Sequence, residues 1–293
     1  MGEEMTIQAQ IVAKVKELQP LSASSSELVT LMGKPDHDLR NIIRIVECDA
    51  ALTARVLRVA NSAVFGTAEP VTSVSRAVSY LGEKVILAIA LDVCMGSVLR
   101  QPLEGYEGRS NGLWEHNLRT AIGAREVARL ARDEMNADIA FTGGILHDIG
   151  KAVLSEFLYG SAADIISRID SRMTADYVSA EREITGTDHC AVGYEIARFW
   201  NLASPLPEII RFHHCPGKAG EEVKRLVYTV HLGDIMAMMA GAGTGSDDLK
   251  YSLDRGFPDY FKISHREVEK MMLDVELEFQ KTKSSILGNG EPA

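Results

Sequence analysis

Apolar residues recur along most of the chain at the three-and-four spacing of an amphipathic helix. Leu39, Ile42, Ile43 and Val46 form one such stripe, and Asp38 stands before it as an N-cap. Leu52, Val56, Val59 and Ala63 repeat the pattern behind Asp49, with Gly66 placed to close the helix. Val74, Ala77, Val78 and Leu81 follow Ser73 and stop at Gly82. Residues 85–99 are apolar nearly all round, which predicts a central buried helix. After a Gly-, Pro- and polar-rich stretch over 101–112, helices are predicted near 114–134, 137–147, 151–158, 162–170, 175–184, 189–200, 206–214 and 223–239. A loop at 241–246 and a last amphipathic helix over 264–281 complete the pattern, with polar residues from 284 expected to fray. No strand-like alternation persists. The pattern predicts an all-α fold: an N-terminal helical part (1–100), a connecting loop (101–112), a helical core (113–240), and a C-terminal loop and helix (241–293).

Composition agrees with helices, since aromatic residues make up only 6% while Ala, Leu, Ile, Val and Met are plentiful. At 293 residues the chain can bury a large core without staples. The net charge of −10 argues against a broad landing surface for DNA or an anionic membrane. The most apolar run, 85–95, is interrupted by Asp92 and too short to span a bilayer, so no membrane insertion is expected. Cys48, Cys94, Cys190 and Cys215 form no CxxC pair, which reads as reduced thiols in a cytoplasm.

Candidate chemistry lies in the histidines. His116, the adjacent His147 and Asp148 in GGILHDIGK, His189 behind a capping Asp188, the adjacent His213 and His214, and Asp234 fall in order across several predicted helices. Imidazoles bind first-row divalent ions and a carboxylate can bridge two of them, so the set has what a two-metal site requires. Adjacent helical residues diverge by about 100°, so neither pair could share a helix face. Both pairs stand near predicted helix ends, ahead of Gly150 and Pro216, where two neighbours can reach one cavity. Cys190 and Cys215 follow ligand-type histidines but read as buried, inert thiols. His231, one turn before Asp234, reads as packing or as a residue that orients it.

The order of these residues resembles the HD phosphohydrolase superfamily, and its HD-GYP branch in particular. That resemblance implies His116, His147, Asp148 and Asp234 as the basic metal ligands, and His189, His213 and His214 as ligands of a second metal bridged by Asp148. It implies Lys151 as the lysine that faces phosphate. Longer stretches are similar to the bacterial HDOD family (the HD-related output domain): DAALTARVLRVANSAVFG, PVTSVSRAVSYLGEKVI, WEHNLRTAIGAREVAR and FTGGILHDIGKAVL. Many members of that family have lost the metal ligands and serve as signalling modules, whereas this chain keeps them. After the histidine pair stands CPGKAGEE, without the Gly-Tyr-Pro of the HD-GYP branch, so cyclic-di-GMP hydrolysis does not carry over.

The resemblance implies an HD-like helical bundle holding two divalent metals, and the excess of imidazole and carboxylate ligands favours Fe or Mn before Zn or Ni. The first functional expectation is a signalling protein that acts through a protein partner. The alternative is a metal-dependent phosphohydrolase acting on a nucleotide or cyclic dinucleotide. In it Asp148 and Lys151 would serve catalysis, Arg119 would help neutralise charge, and the partner would be a phosphate-containing small molecule.

Overall fold

The computed structural model describes residues 6–32, 38–62, 70–131 and 137–287, and Ala63 and Gly66 of the second predicted stripe lie outside them. The chain forms α1 (Ile7–Glu17), α2 (Ala23–Met32), α3 (Leu39–Glu47), α4 (Ala50–Ala60), α5 (Val74–Leu81), α6 (Glu83–Leu99), α7 (Gly112–Leu130) and α8 (Ala137–Leu146). It continues through α9 (Lys151–Leu154), α10 (Ala162–Asp170), α11 (Tyr177–Thr185), α12 (His189–Phe199), α13 (Leu206–Phe212), α14 (Glu221–Met239), α15 (Phe257–Tyr260) and α16 (His265–Leu287). Among the described residues there is no strand, only an isolated bridge between Leu103 and Gly108.

The helix starts follow from local chemistry. The side chains of Asp38, Asp49, Ser73, Asp176 and Asp188 each accept a first-turn N–H, satisfying donors that a helix cannot pair internally. Gly82 ends α5 at φ 79°, a conformation that costs glycine little. Two segments depart from their predicted bounds. The 151–158 segment is α-helical only to Leu154 and then tightens into a 3-10 turn, Ser155–Leu158. Helix α16 runs past Lys281 to Leu287, where Ser285 and Ile286 are buried rather than frayed, and the Ile286 carbonyl accepts from Arg55.

Helices α7, α8 and α14 pack together as the centre of the bundle, with α12 and α13 closing one side. Gly144 makes the α7–α8 contact possible, because a Cβ there would stand 2.5 Å from the Ala121 Cα. Gly150 does the same for α9 against α12, where a Cβ would collide with the His189 carbonyl. These two close approaches bring His116, His147, Asp148 and His189 within reach of one another. Helices α2 to α6 form an apolar layer that meets the centre through α2 and α6 on α8, and α6 on α7. The stretch between α6 and α7 turns inward: Tyr106 is buried, and the Gly105 N–H donates to Ser155 Oγ.

Candidate metal centre

All seven residues singled out as metal ligands converge. His116 comes from α7, His147 and Asp148 from the end of α8, His189 from the first turn of α12, His213 and His214 from the end of α13, and Asp234 from α14. His116, His147, Asp148, His189, His213 and Asp234 are each at most 2% exposed.

Four imidazoles are held in one orientation. Nδ1 of His116 lies 2.7 Å from the Ala242 carbonyl, that of His147 2.7 Å from Gly144 and that of His213 2.9 Å from Ile210. A carbonyl only accepts, so in each ring Nδ1 carries a proton, and in the neutral ring Nε2 keeps its lone pair. Glu181 fixes His189 in the same way, 2.7 Å from its Nδ1, and also accepts from its backbone N–H. These Nε2 atoms then face one another: His116 and His147 at 3.3 Å, His189 and His213 at 3.4 Å. Two lone pairs at that distance repel unless a proton or a metal ion stands between them.

The carboxylates divide between the two imidazole pairs. Asp148 Oδ2 lies 3.5 Å from Nε2 of both His116 and His147, while Oδ1 lies 3.4 Å from His189 Nε2 and 3.5 Å from His213 Nε2. Asp234 Oδ1 is 3.1 Å from His116 and 3.7 Å from His147. Such spacings are the edges of coordination polyhedra whose ligand bonds are about 2.0–2.2 Å. Asp148 Oδ1, Asp234 Oδ2 and both ring nitrogens of His214 are buried without a hydrogen-bond partner. Buried polar atoms without partners are costly, and an ion would satisfy them. The donor set therefore fits divalent metal ions.

Electrostatics favour charged carboxylates. Burial pushes Asp148 and Asp234 up, but the facing histidines, with Lys151 for Asp148, outweigh it and hold both well below the usual carboxylate range. Burial opposes the cation at His213, yet Cys190 and Asp148 lift it to about 10. Burial drives His214 well below its ordinary value, reinforced by His213. Cys190 is also drawn in, with Sγ 3.5 Å from His189 Nε2; burial raises its pKa, but His189 and His213 bring it down overall.

Lys151 is buried, not solvated. Its ammonium sits 2.7 Å from Asp148 Oδ2, 2.6 Å from Asp247 Oδ2 and 3.1 Å from Thr244 Oγ1, which uses all three donors. Arg119 turns away from the cluster to pair with Glu276 at 2.8 Å and to lie over the Phe279 ring. His231 accepts from the Asp254 N–H and so anchors the segment after α14. That segment, legible in the sequence only as a loop, covers the centre. It supplies the Ala242 carbonyl, Asp247 and Tyr251, whose hydroxyl donates to Asp247 and whose ring stacks on His214 at 4.0 Å. Glu181, Asp247 and Tyr251 belong to no motif, and no spacing in the sequence signals them.

Beside His116 runs a groove of about 630 Å³, lined also by Arg109, Glu115, Arg119, Glu269 and Glu276. Three of these are acidic, and both arginines are paired with acids in or beside the groove.

A profile of the HDOD domain matches residues 18–216. An uncharacterised protein of Treponema pallidum (strain Nichols) is 25% identical over 245 residues, which is 84% of this chain and 47% of that protein. The chain thus spans about half the length of the curated relative it matches. Among solved structures, a candidate signal transduction protein from Marinobacter aquaeolei VT8 superposes with a TM-score of 0.70 at 19% identity, covering 98% of this chain and 62% of that one. A candidate phosphohydrolase from Shewanella amazonensis SB2B gives 0.61 at 22% identity, covering 95% and 98%. At these identities the likeness is one of fold. No helix among the described residues is long and apolar enough to cross a membrane.

Proposed function

Because this chain belongs to the HDOD domain family, we propose that it is a signalling module whose two-metal centre organises the fold and whose output runs through contacts with a protein partner. His116, His147, Asp148 and Asp234 would hold one ion, and His189, His213 and His214 the other, with Asp148 between them. Fe or Mn suits such imidazole and carboxylate donors.

The observation that carries this reading is the enclosure of the centre. Its ligand-type residues are almost wholly buried, and Lys151, the cation that would otherwise meet phosphate, spends its donors on Asp148, Asp247 and Thr244. Lys151 therefore positions the Asp148 carboxylate. The groove next to His116 is walled by acids, which repel an anionic substrate.

A second reading, metal-dependent phosphoester hydrolysis, is favoured by one feature: that same groove reaches His116. Bound metals would then supply an activated water at neutral pH. His116 would stand at the mouth, and Lys151 would keep Asp148 oriented and ionised.

Metal analysis followed by a turnover screen tests the choice. Protein purified without chelator or metal-affinity resin is expected to carry about two ions per chain. It is expected to show no hydrolysis of nucleotides or cyclic dinucleotides above a His147→Ala control. Turnover that disappears in His147→Ala would establish the hydrolase; metal-free wild-type protein would overturn both readings.

A further inference from the structure

We propose that Cys190 is itself a metal ligand, so that the two metal positions differ in kind. One would offer nitrogen and oxygen donors, and the other a thiolate among imidazoles. The inference rests on the two-metal reading above and extends it to a residue outside the seven.

Three distances carry it. Cys190 Sγ lies 3.5 Å from His189 Nε2 and 4.0 Å from His213 Nε2, and those nitrogens are 3.4 Å apart. Around a tetrahedral ion with a sulfur bond of about 2.3 Å and nitrogen bonds of about 2.0–2.1 Å, sulfur and nitrogen stand roughly 3.6 Å apart and two nitrogens roughly 3.4 Å. The observed triangle has these edges, with one side slightly open. Asp148 Oδ1, 3.4 and 3.5 Å from the same nitrogens, offers a further donor alongside His214.

With both rings neutral, Nδ1–H of His189 is committed to Glu181 and that of His213 to the Ile210 carbonyl, so both Nε2 atoms face the sulfur with lone pairs. One S–H can donate to only one of them; an ion satisfies both nitrogens and the thiolate together. Independently, His214 points to a ligand at this place. Its side chain is 8% exposed and both ring nitrogens are buried without hydrogen-bond partners; Nδ1 lies 3.7 Å from Asp234 Oδ2, and one ring nitrogen lies within 4.8 Å of donor atoms of His189, Cys190 and His213. Cys190 is 3% exposed and sits in the first turn of α12, where the helix dipole favours a thiolate.

A thiolate changes which ion the position prefers. Sulfur selects Zn(II), Co(II) or Fe(II) over Mn(II) and Mg(II), whereas the His116–His147–Asp148–Asp234 position keeps the harder preference.

Cobalt substitution of the full chain reads this directly. Wild-type protein with two Co(II) bound is expected to show a thiolate-to-cobalt charge-transfer band in the near ultraviolet. Cys215→Ser should keep the band. Cys190→Ser should lose it and bind one cobalt at least about tenfold more weakly, while the visible bands of the other cobalt remain. X-ray absorption of zinc-loaded wild-type protein requires no variant and should show sulfur at about 2.3 Å, roughly one for every two zinc ions. Two bound ions with only nitrogen and oxygen neighbours, or a band that survives in Cys190→Ser, would overturn the ligand role and leave the two-metal reading standing. A chain that binds no metal would overturn both.

Discussion

The interior of the layer formed by α2 to α6 and the interior of the bundle from α7 to α14 are built on opposite principles. In the first, Leu28, Ile42, Val46, Leu52, Val56, Val78, Ile86 and Ile89 fill the space, and the buried polar side chains among its described residues are Ser25 and Asp92. Asp92 is answered by Arg55 and Arg100. Such a layer is held by apolar area, at about 25 cal/mol per Å² removed from water. In the second, histidines, acids and Lys151 occupy the centre, each one costly to bury alone. The first interior tolerates loss in proportion to the volume removed. The second depends on every charge having its counterpart, a balance that the proposed metal ions would complete.

The strongest way to break the comparison is to remove the residue that faces both metal positions. Asp148→Ala should take metal content from about two ions per chain to nearly none. It leaves Lys151 with a single carboxylate, and breaking a buried pair in this way costs about 4 kcal/mol. Elemental analysis and urea unfolding measure the two effects. A variant that keeps both ions would show that Asp148 does not join the two clusters. Chelation of the wild-type protein should come next, lowering stability by about 3 kcal/mol relative to free metal at roughly a hundred times its Kd. The loss should be local. Amide exchange should quicken in α7, α8, α13 and α14, while α4 to α6 keep their protection. Uniform loss of protection would mean that the two interiors form one cooperative unit.

The converse substitution sharpens the same contrast. Ile42→Ala empties space at a fully buried position in the apolar layer and should cost about 2 kcal/mol or slightly more. Metal content should stay unchanged, because α3 packs on α2, α4 and α5, away from the helices that carry the ligand-type residues. Loss of metal in this variant would tie the centre to the packing of the N-terminal layer. That coupling would offer a route by which a partner bound there could act on the centre.

The two interiors also differed in how far the sequence disclosed them. The apolar layer was legible wherever a capping residue met a clean stripe, as at Asp38, Asp49 and Ser73, because those signals are local. Helix α2 escaped the reading: it begins in a run of serines, which favour caps and turns over helix interiors, and tertiary packing of Leu28 and Val29 overrides that preference. For the candidate centre, the seven ligand-type residues could be picked out because their order carried a family pattern. What holds them in place could not be. Glu181 stands eight residues before His189, and Asp247 stands 96 residues after Lys151. Carboxylates at such separations look the same as any solvated acid until the fold brings them together. Cys190 was visible, but only its distance to two nitrogens separates a ligand from a buried thiol.

Arg119 gives the smallest expected effect and tests the boundary of the polar interior. One turn after His116, it looks in sequence like a cation aimed at a phosphate. In the structure it leaves the cluster for Glu276 on α16, an acid whose side chain is 43% exposed. An ion pair with one partner in water is worth about 1 kcal/mol or less, and stacking on Phe279 adds a comparable amount at most. Arg119→Ala should therefore lower stability by about 1 kcal/mol in urea unfolding, less so at high salt, and leave both metal ions bound. If instead metal content falls or a hydrolytic activity disappears, the charge of Arg119 reaches the centre through the His116 groove. The polar interior would then extend to α16, and the hydrolase reading would gain the cation that Lys151 cannot supply.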